Sequence, residues 1–208
     1  MGKDKKGKLR KLRKDLKKKL TKSRYEHTLG VEYISAALAM RYHAEFYDAE
    51  VAGLMHDCAK GKRMYASEML KLCKQYQLEI SETEEKDPYL LHGKLGAYFC
   101  ENKYKIKNPE ILSAIIWHTT GRPDMTLLEK IVFVADYIEP GRDKAPNLDD
   151  LRRLAFEDID EAVYEITRNT LDYLEQKGTT SIDNITRETY EFYKGIHDSK
   201  IKKEVDYV

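Results

Sequence analysis

Leucines at positions 9, 12, 16 and 20 recur at steps of three and four with lysines between them, the spacing of one apolar stripe on a helix. The same period continues along the chain. Ser23, with Glu26 three residues later, reads as an N-cap for a helix over 25–42, on which His27, Val31, Ile34 and Leu38 share a stripe. Asp48 caps a helix carrying Val51, Leu54, Met55 and then His56 and Asp57, stopped by Lys60-Gly61-Lys62. A short amphipathic helix follows over 64–76, and the acidic stretch 79–86 reads as a solvated loop. From Asp87-Pro88 a helix runs to about 102, with His92 on the stripe of Leu95, Gly96 and Phe99. Gly93 and Gly96 are unfavourable there unless another element approaches closely. Pro109 opens a helix that ends on Trp117-His118.

The helix predicted over 126–139 is almost wholly apolar from Ile131 to Ala135 and then presents Asp136, a carboxylate that burial would make costly without a partner. Helices over 148–156, 158–177 and 186–197 complete the pattern. Gly178-Thr179-Thr180 stops the second of these. No segment reads as a strand. The expectation is an all-α protein with one helical domain of about seven to nine helices over 12–196. It is flanked by a basic, disordered extension over 1–11 and a charged tail over 197–208.

Composition changes this picture little. With 208 residues, 41% hydrophobic and 35% charged, the chain can bury one sizeable core. The net charge of +1 conceals a basic head: residues 1–22 hold twelve Lys or Arg against two Asp, leaving the remainder acidic. No aromatic residues interleave with those lysines, so a helix laying its leucines on the domain is favoured over a nucleic-acid-binding arm. Three cysteines, none in a C-x-x-C pair, fit a reducing cytoplasm. No run is long and apolar enough for a membrane span, so no membrane partner is expected. Monomer and homodimer are both compatible with the sequence.

Four of the six histidines, His27, His56, His92 and His118, lie in or at the ends of apolar helical segments, as do Asp57 and Asp136. His43 and His197 have polar surroundings and read as surface residues. Imidazole and carboxylate together make a donor set for iron, manganese, zinc or cobalt. A His-Asp dipeptide alone is usually a surface pair; six such groups on successive inward faces are a different matter.

The order His … His-Asp … His … His … Asp resembles the HD superfamily of metal-dependent phosphohydrolases. The stretches Ser23-Arg24-Tyr25-Glu26-His27-Thr28-Leu29-Gly30-Val31, His56-Asp57-Cys58-Ala59-Lys60, Trp117-His118-Thr119-Thr120-Gly121 and Ala135-Asp136-Tyr137-Ile138-Glu139-Pro140-Gly141-Arg142 resemble its YqeK-like branch, the symmetrical diadenosine-tetraphosphate hydrolases of bacteria. The resemblance covers about 12–193. It implies an HD-type fold and two divalent transition-metal ions, iron in this family, with manganese permitted by the ligand types. His27, His56, Asp57 and Asp136 would hold one ion, His92 and His118 the other, with Asp57 bridging. It further implies hydrolysis of a dinucleoside polyphosphate to two ADP, with Asp57 and Lys60 in the catalytic role. Lys60, Thr119, Arg122 and Arg142 would contact phosphate, since Lys and Arg neutralise it and Arg can hold it through two bonds. Two alternatives remain: an HD phosphohydrolase of another nucleotide (a nucleoside monophosphate, cyclic dinucleotide or guanosine alarmone), and a non-catalytic nucleotide- or RNA-binding module.

Overall fold

In the computed structural model, which describes residues 3–178 and 182–205, the chain is all-α, and no strand occurs among those residues. Eleven α-helices form among the described residues, above the expected seven to nine, in part because short segments acquire their own caps. The helices are α1 (Lys3–Lys19), α2 (Lys22–Tyr42), α3 (Phe46–Met55), α4 (Ala66–Gln75), α5 (Glu82–Lys86), α6 (His92–Asn102), α7 (Pro109–Trp117), α8 (Leu127–Ile138), α9 (Leu148–Glu157), α10 (Ile159–Gln176) and α11 (Asn184–Val205). A 3₁₀ turn, Pro88–Leu91, precedes α6.

The core sits around α8, which packs against α2, α3, α7, α9 and α10. Ile131, Val132, Val134 and Ala135 are completely inaccessible. The capping box at its start, Thr126 with Glu129, is doubled by other bonds to Glu129: Ser113 and Arg122 also reach this fully buried carboxylate. The leucine stripe of α1 is buried at all four positions. It is anchored further by Arg13, whose guanidinium donates to both oxygens of the buried Glu32 on α2. Residues 3–11, expected to be disordered, are therefore the opening turns of α1, held by Leu9 and the bonds that follow it.

Other expectations need correction. Thr21, not Ser23, caps α2, its hydroxyl accepting from the Arg24 amide. Glu45, not Asp48, precedes α3. The buried face of α2 runs through Val31, Ser35 and Leu38, with Ile34 only partly covered, because Ser35 meets Gly53 where α2 and α3 press together. The acidic stretch 79–86 contains α5, nucleated by a reciprocal capping box between Ser81 and Glu84. α11 starts two residues earlier than expected and continues through the supposed charged tail to Val205. His197, read as a surface residue, pairs with Glu161 and stacks on Tyr164. Thr179 and Thr180, expected to stop α10, lie outside the described residues, as do residues 206–208 of the tail. No described helix is long and apolar enough to cross a membrane.

Candidate metal centre

The hydrogen-bonded helix α3 ends at Met55, five residues before the expected stop, and residues 56–59 continue as a turn. That ending places His56 where the last carbonyls of a helix lack intrahelical partners. The His56 Nδ1–H donates to the Gly53 carbonyl, three residues back, at 2.7 Å. The device recurs at two other histidines. His118 follows the end of α7 and donates Nδ1–H to the Ile115 carbonyl at 2.7 Å; His92 follows the 3₁₀ turn and donates to the Tyr89 carbonyl. With Nδ1 committed to donation, each ring turns its Nε2 away from the helix end, leaving that nitrogen to bind a metal.

His27 lies inside α2, where backbone carbonyls are already taken. Its Nδ1–H instead donates to Glu139 Oε1 at 3.1 Å, and the other Glu139 oxygen accepts from the Gly141 amide at 2.6 Å. Glu139 approaches α2 so closely that a Cβ on Gly30 would lie 2.4 Å from its Oε2. The two N–H groups sit on different Glu139 oxygens, so a glutamine would turn its NH2 donor against one of them. Glu139→Gln is therefore expected to lower metal affinity about 10–100-fold; a metal-dissociation measurement on the purified variant checks this.

The four Nε2 atoms converge. His92 and His118 lie 3.0 Å apart, and His27 and His56 3.3 Å apart. Asp57 stands between the pairs. Its Oδ1 is 3.6 Å from both His92 Nε2 and His118 Nε2, while its Oδ2 is 3.5 Å from His56 Nε2 and 4.0 Å from His27 Nε2. Asp136 Oδ1 is 3.0 Å from His27 Nε2 and 3.8 Å from His56 Nε2. His56, Asp57, His92 and His118 are essentially inaccessible.

The electrostatics suit a cation. Burial, the largest influence on Asp57, works to raise its pKa, but His56, Lys60 and His118 outweigh it and hold the carboxyl well below the usual range. Asp136 is likewise held low, burial being outweighed by His27, His56 and Arg142. Burial lowers the pKa of both His92 and His118, so their rings are neutral. His56 differs: burial pushes its pKa down, but the Asp57 charge overcomes this and raises it. Asp57 Oδ1 accepts no hydrogen bond although it is buried; Lys60 Nζ comes to 3.0 Å but off the hydrogen-bond direction. Lone pairs of neutral imidazoles facing one another across 3 Å beside a bare carboxylate oxygen repel unless a cation lies among them. The residues present thus fit divalent metal, and two overlapping groups, His27 with His56 and Asp136, and His56 with Asp57 and His118, could each hold an ion.

A model of the HD domain matches residues 24–141, more than half of the chain. The chain belongs to the HD-domain family. Among curated relatives, the symmetrical bis(5'-nucleosyl)-tetraphosphatase of Bacillus subtilis (strain 168) is 38% identical over 162 residues, covering 78% of this chain and 85% of the relative. The protein of the same description from Staphylococcus aureus (strain NCTC 8325 / PS 47) is 37% identical over 188 residues, 89% of this chain and 94% of the relative. A crystal structure described as a predicted HD superfamily hydrolase involved in NAD metabolism, from Clostridium acetobutylicum, superposes with a TM-score of 0.84. It is 36% identical, covering 89% of this chain and 96% of that one.

Around this HD centre stand three of the four side chains expected to contact phosphate. Lys60 lies beside Asp57, Thr119 Oγ1 is 3.0 Å from His92 Nε2, and Arg142 Nη2 is 3.1 Å from Asp136 Oδ1. Arg122 is not brought to the cluster. Its guanidinium is committed to Glu129, donating from Nε at 3.1 Å and from Nη2 at 2.9 Å, because that buried carboxylate needs a counter-charge. Sequence reasoning missed two arginines. Arg24 Nη1 donates to Asp57 Oδ2 at 2.8 Å; it stood inside the motif that carries His27, three positions away on the same helical face. Arg152 donates to the carbonyls of Ile138, Glu139 and Arg142, pinning the turn that carries Glu139. Nothing local in the sequence marks it.

Proposed function

We propose that the protein hydrolyses bis(5'-nucleosyl) tetraphosphates symmetrically, with diadenosine tetraphosphate and water yielding two ADP. The observation that carries this reading is Asp57: one buried carboxylate with an oxygen toward each of two histidine pairs. Two relatives more than 35% identical over most of both chains bear the description symmetrical bis(5'-nucleosyl)-tetraphosphatase. His27, His56, Asp57 and Asp136 would hold one divalent ion, and His92 and His118, sharing Asp57, the other; iron is the proposed metal and manganese the alternative. Held by these residues, such ions would lower the pKa of water toward neutrality and offset charge on the phosphate oxygens.

The remaining work falls to the chain. Asp57 and Asp136 keep the centre anionic enough to retain cations, while imidazole donors in place of further carboxylates prevent it from repelling a polyphosphate. Lys60 and Arg142 exchange their carboxylate contacts for phosphate oxygens, and Arg24, 39% exposed in its side chain, reaches the same rim. Thr119 donates its hydroxyl to a phosphate oxygen in place of His92 Nε2. Symmetric cleavage breaks one P–O bond at the central bridging oxygen, so the entering oxygen ends in one of the two ADP molecules.

Hydrolysis of diadenosine tetraphosphate in ¹⁸O-water by the metal-loaded protein tests this. ADP as sole nucleotide product, with the label in half of it, is expected. Equimolar ATP and AMP, or turnover only of a monophosphate or cyclic dinucleotide, overturns the reading.

A further inference from the structure

An open cavity of about 600 Å³ lies behind the turn that follows the metal centre, bordered by the end of α1, the approach to α4 and the end of α6. Five cationic side chains line it, Lys18, Lys19, Lys62, Arg63 and Lys103, against a single carboxylate, Glu68. Glu68 is itself 3.8 Å from Lys71. Lys19 is neutralised by Asp15, 2.5 Å away, and bonds Tyr104 at 2.8 Å. Among the described residues, Lys18, Lys62, Arg63 and Lys103 have no ion-pair partner. Lys103 also has the Lys19 ammonium beside it, which lowers its pKa from the ordinary lysine value. Cations gathered in one concavity repel one another until an anion of several charges enters.

The remaining lining is not that of a bare anion site. Tyr65, 65% exposed, stands at the cavity with Met64 and Phe99, a π-face and apolar surface beside the charges. The volume is that of a small-molecule pocket. The cavity is also separate from the metal centre. Lys60 and Asp57 face the histidines, whereas Cys58, Ala59, Gly61 and Lys62 line the cavity. Cys58 turns its thiol toward the Gly96 carbonyl and Cys100, away from the imidazoles. The Lys62 amide donates to the Lys19 carbonyl at 2.9 Å, which joins the end of the basic helix α1 to this turn.

We propose that this cavity is a second nucleotide site, separate from the metal centre, that binds a nucleoside triphosphate by its phosphate chain on Lys18, Lys62, Arg63 and Lys103 and by its base on Tyr65. The site accounts for lysines at the end of α1 that neither the core nor the metal centre uses. It does not depend on the identity of the hydrolysed substrate.

Calorimetric titration of ATP into the full-length chain stripped of metal with EDTA tests it. One ATP per chain is expected. The exposed pair Lys62→Ala/Arg63→Ala weakens binding at least about tenfold through lost charge-assisted bonds, and Lys18→Ala/Lys103→Ala does likewise. Lys60→Ala leaves ATP binding unchanged, and Lys62→Ala/Arg63→Ala leaves kcat and KM for diadenosine tetraphosphate unchanged. An unaltered melting temperature verifies the fold of each variant. ATP affinity unchanged from the original chain in both double variants, loss of binding in Lys60→Ala, or tripolyphosphate binding as tightly as ATP overturns the proposal. So does a raised KM in Lys62→Ala/Arg63→Ala, which would give the cavity to the substrate.

Discussion

Replacing Asp57 with alanine is expected to lower hydrolysis of diadenosine tetraphosphate by at least about 10³-fold, about 4 kcal/mol of barrier. The size of the effect follows from position. Each carboxylate oxygen addresses a different histidine pair, so one substitution removes a donor from both sides of the centre at once. It also removes the partner of Arg24 and Lys60, leaving two cations beside neutral imidazoles where a metal would have to enter. Asp57→Glu is expected to fare almost as badly although it keeps the charge. The site is 1% exposed, and an extra methylene cannot be accommodated without displacing the oxygens from their place between the pairs. Elemental analysis of each variant, with circular dichroism to verify the helical fold, separates lost metal from lost structure. Retention of more than about a tenth of the activity by Asp57→Ala would overturn the bridging role; a tenfold loss is only about 1.4 kcal/mol.

How far the sequence revealed this arrangement depended on what local pattern can encode. Periodicity located the helices, because burial of one face leaves a mark every three or four residues; the α1 leucines and the apolar run of α8 are both where that rule puts them. The same rule picked out the histidines that converge, since each interrupts an apolar stripe. Helix ends were less legible. Lys60-Gly61-Lys62 carries ordinary stop signals for α3, yet the helix ends at Met55, where His56 turns its Nδ1–H onto the Gly53 carbonyl and a tight turn begins. A histidine three residues beyond an orphan carbonyl is a C-terminal cap as much as a candidate ligand, and the sequence does not distinguish these roles until the ring's other nitrogen is seen to face a partner. Arg122 shows a further limit. Its place after a site motif suggested phosphate, but Glu129, seven residues on, is completely buried and claims the guanidinium. Pairings such as Arg24 with Asp57 and Arg152 with the 138–142 turn join residues far apart in the chain, and no local spacing announces them.

Gly93 carries the second large prediction, and here sequence and structure address the same residue from two sides. A glycine in the first turn of α6 costs helix stability relative to alanine, so Gly93→Ala would ordinarily stabilise by up to about 1 kcal/mol. The structure reverses that sign. A Cβ at position 93 would lie 2.6 Å from the Ile116 carbonyl oxygen and 3.0 Å from that of Ile115, both backbone atoms of α7 that cannot swing aside as a side chain would. α6 and α7 must then separate, at a cost of about 3 kcal/mol or more. The damage does not stop at packing. His92 is the neighbouring residue, His118 lies 3.0 Å from it across the same contact, and the Ile115 carbonyl that the new methyl would crowd is the acceptor orienting His118. Gly93→Ala is therefore expected to lower the melting temperature of the metal-free protein and to cost the half of the centre built from His92 and His118. The His27, His56 and Asp136 group, on α2, the end of α3 and α8, keeps its own supports. Measured metal content is expected to fall toward one ion per chain while the other remains. An alanine variant that melts higher than the original chain, or that retains two tightly held ions, would show that α6 and α7 tolerate separation and that His92 is not placed by their close approach.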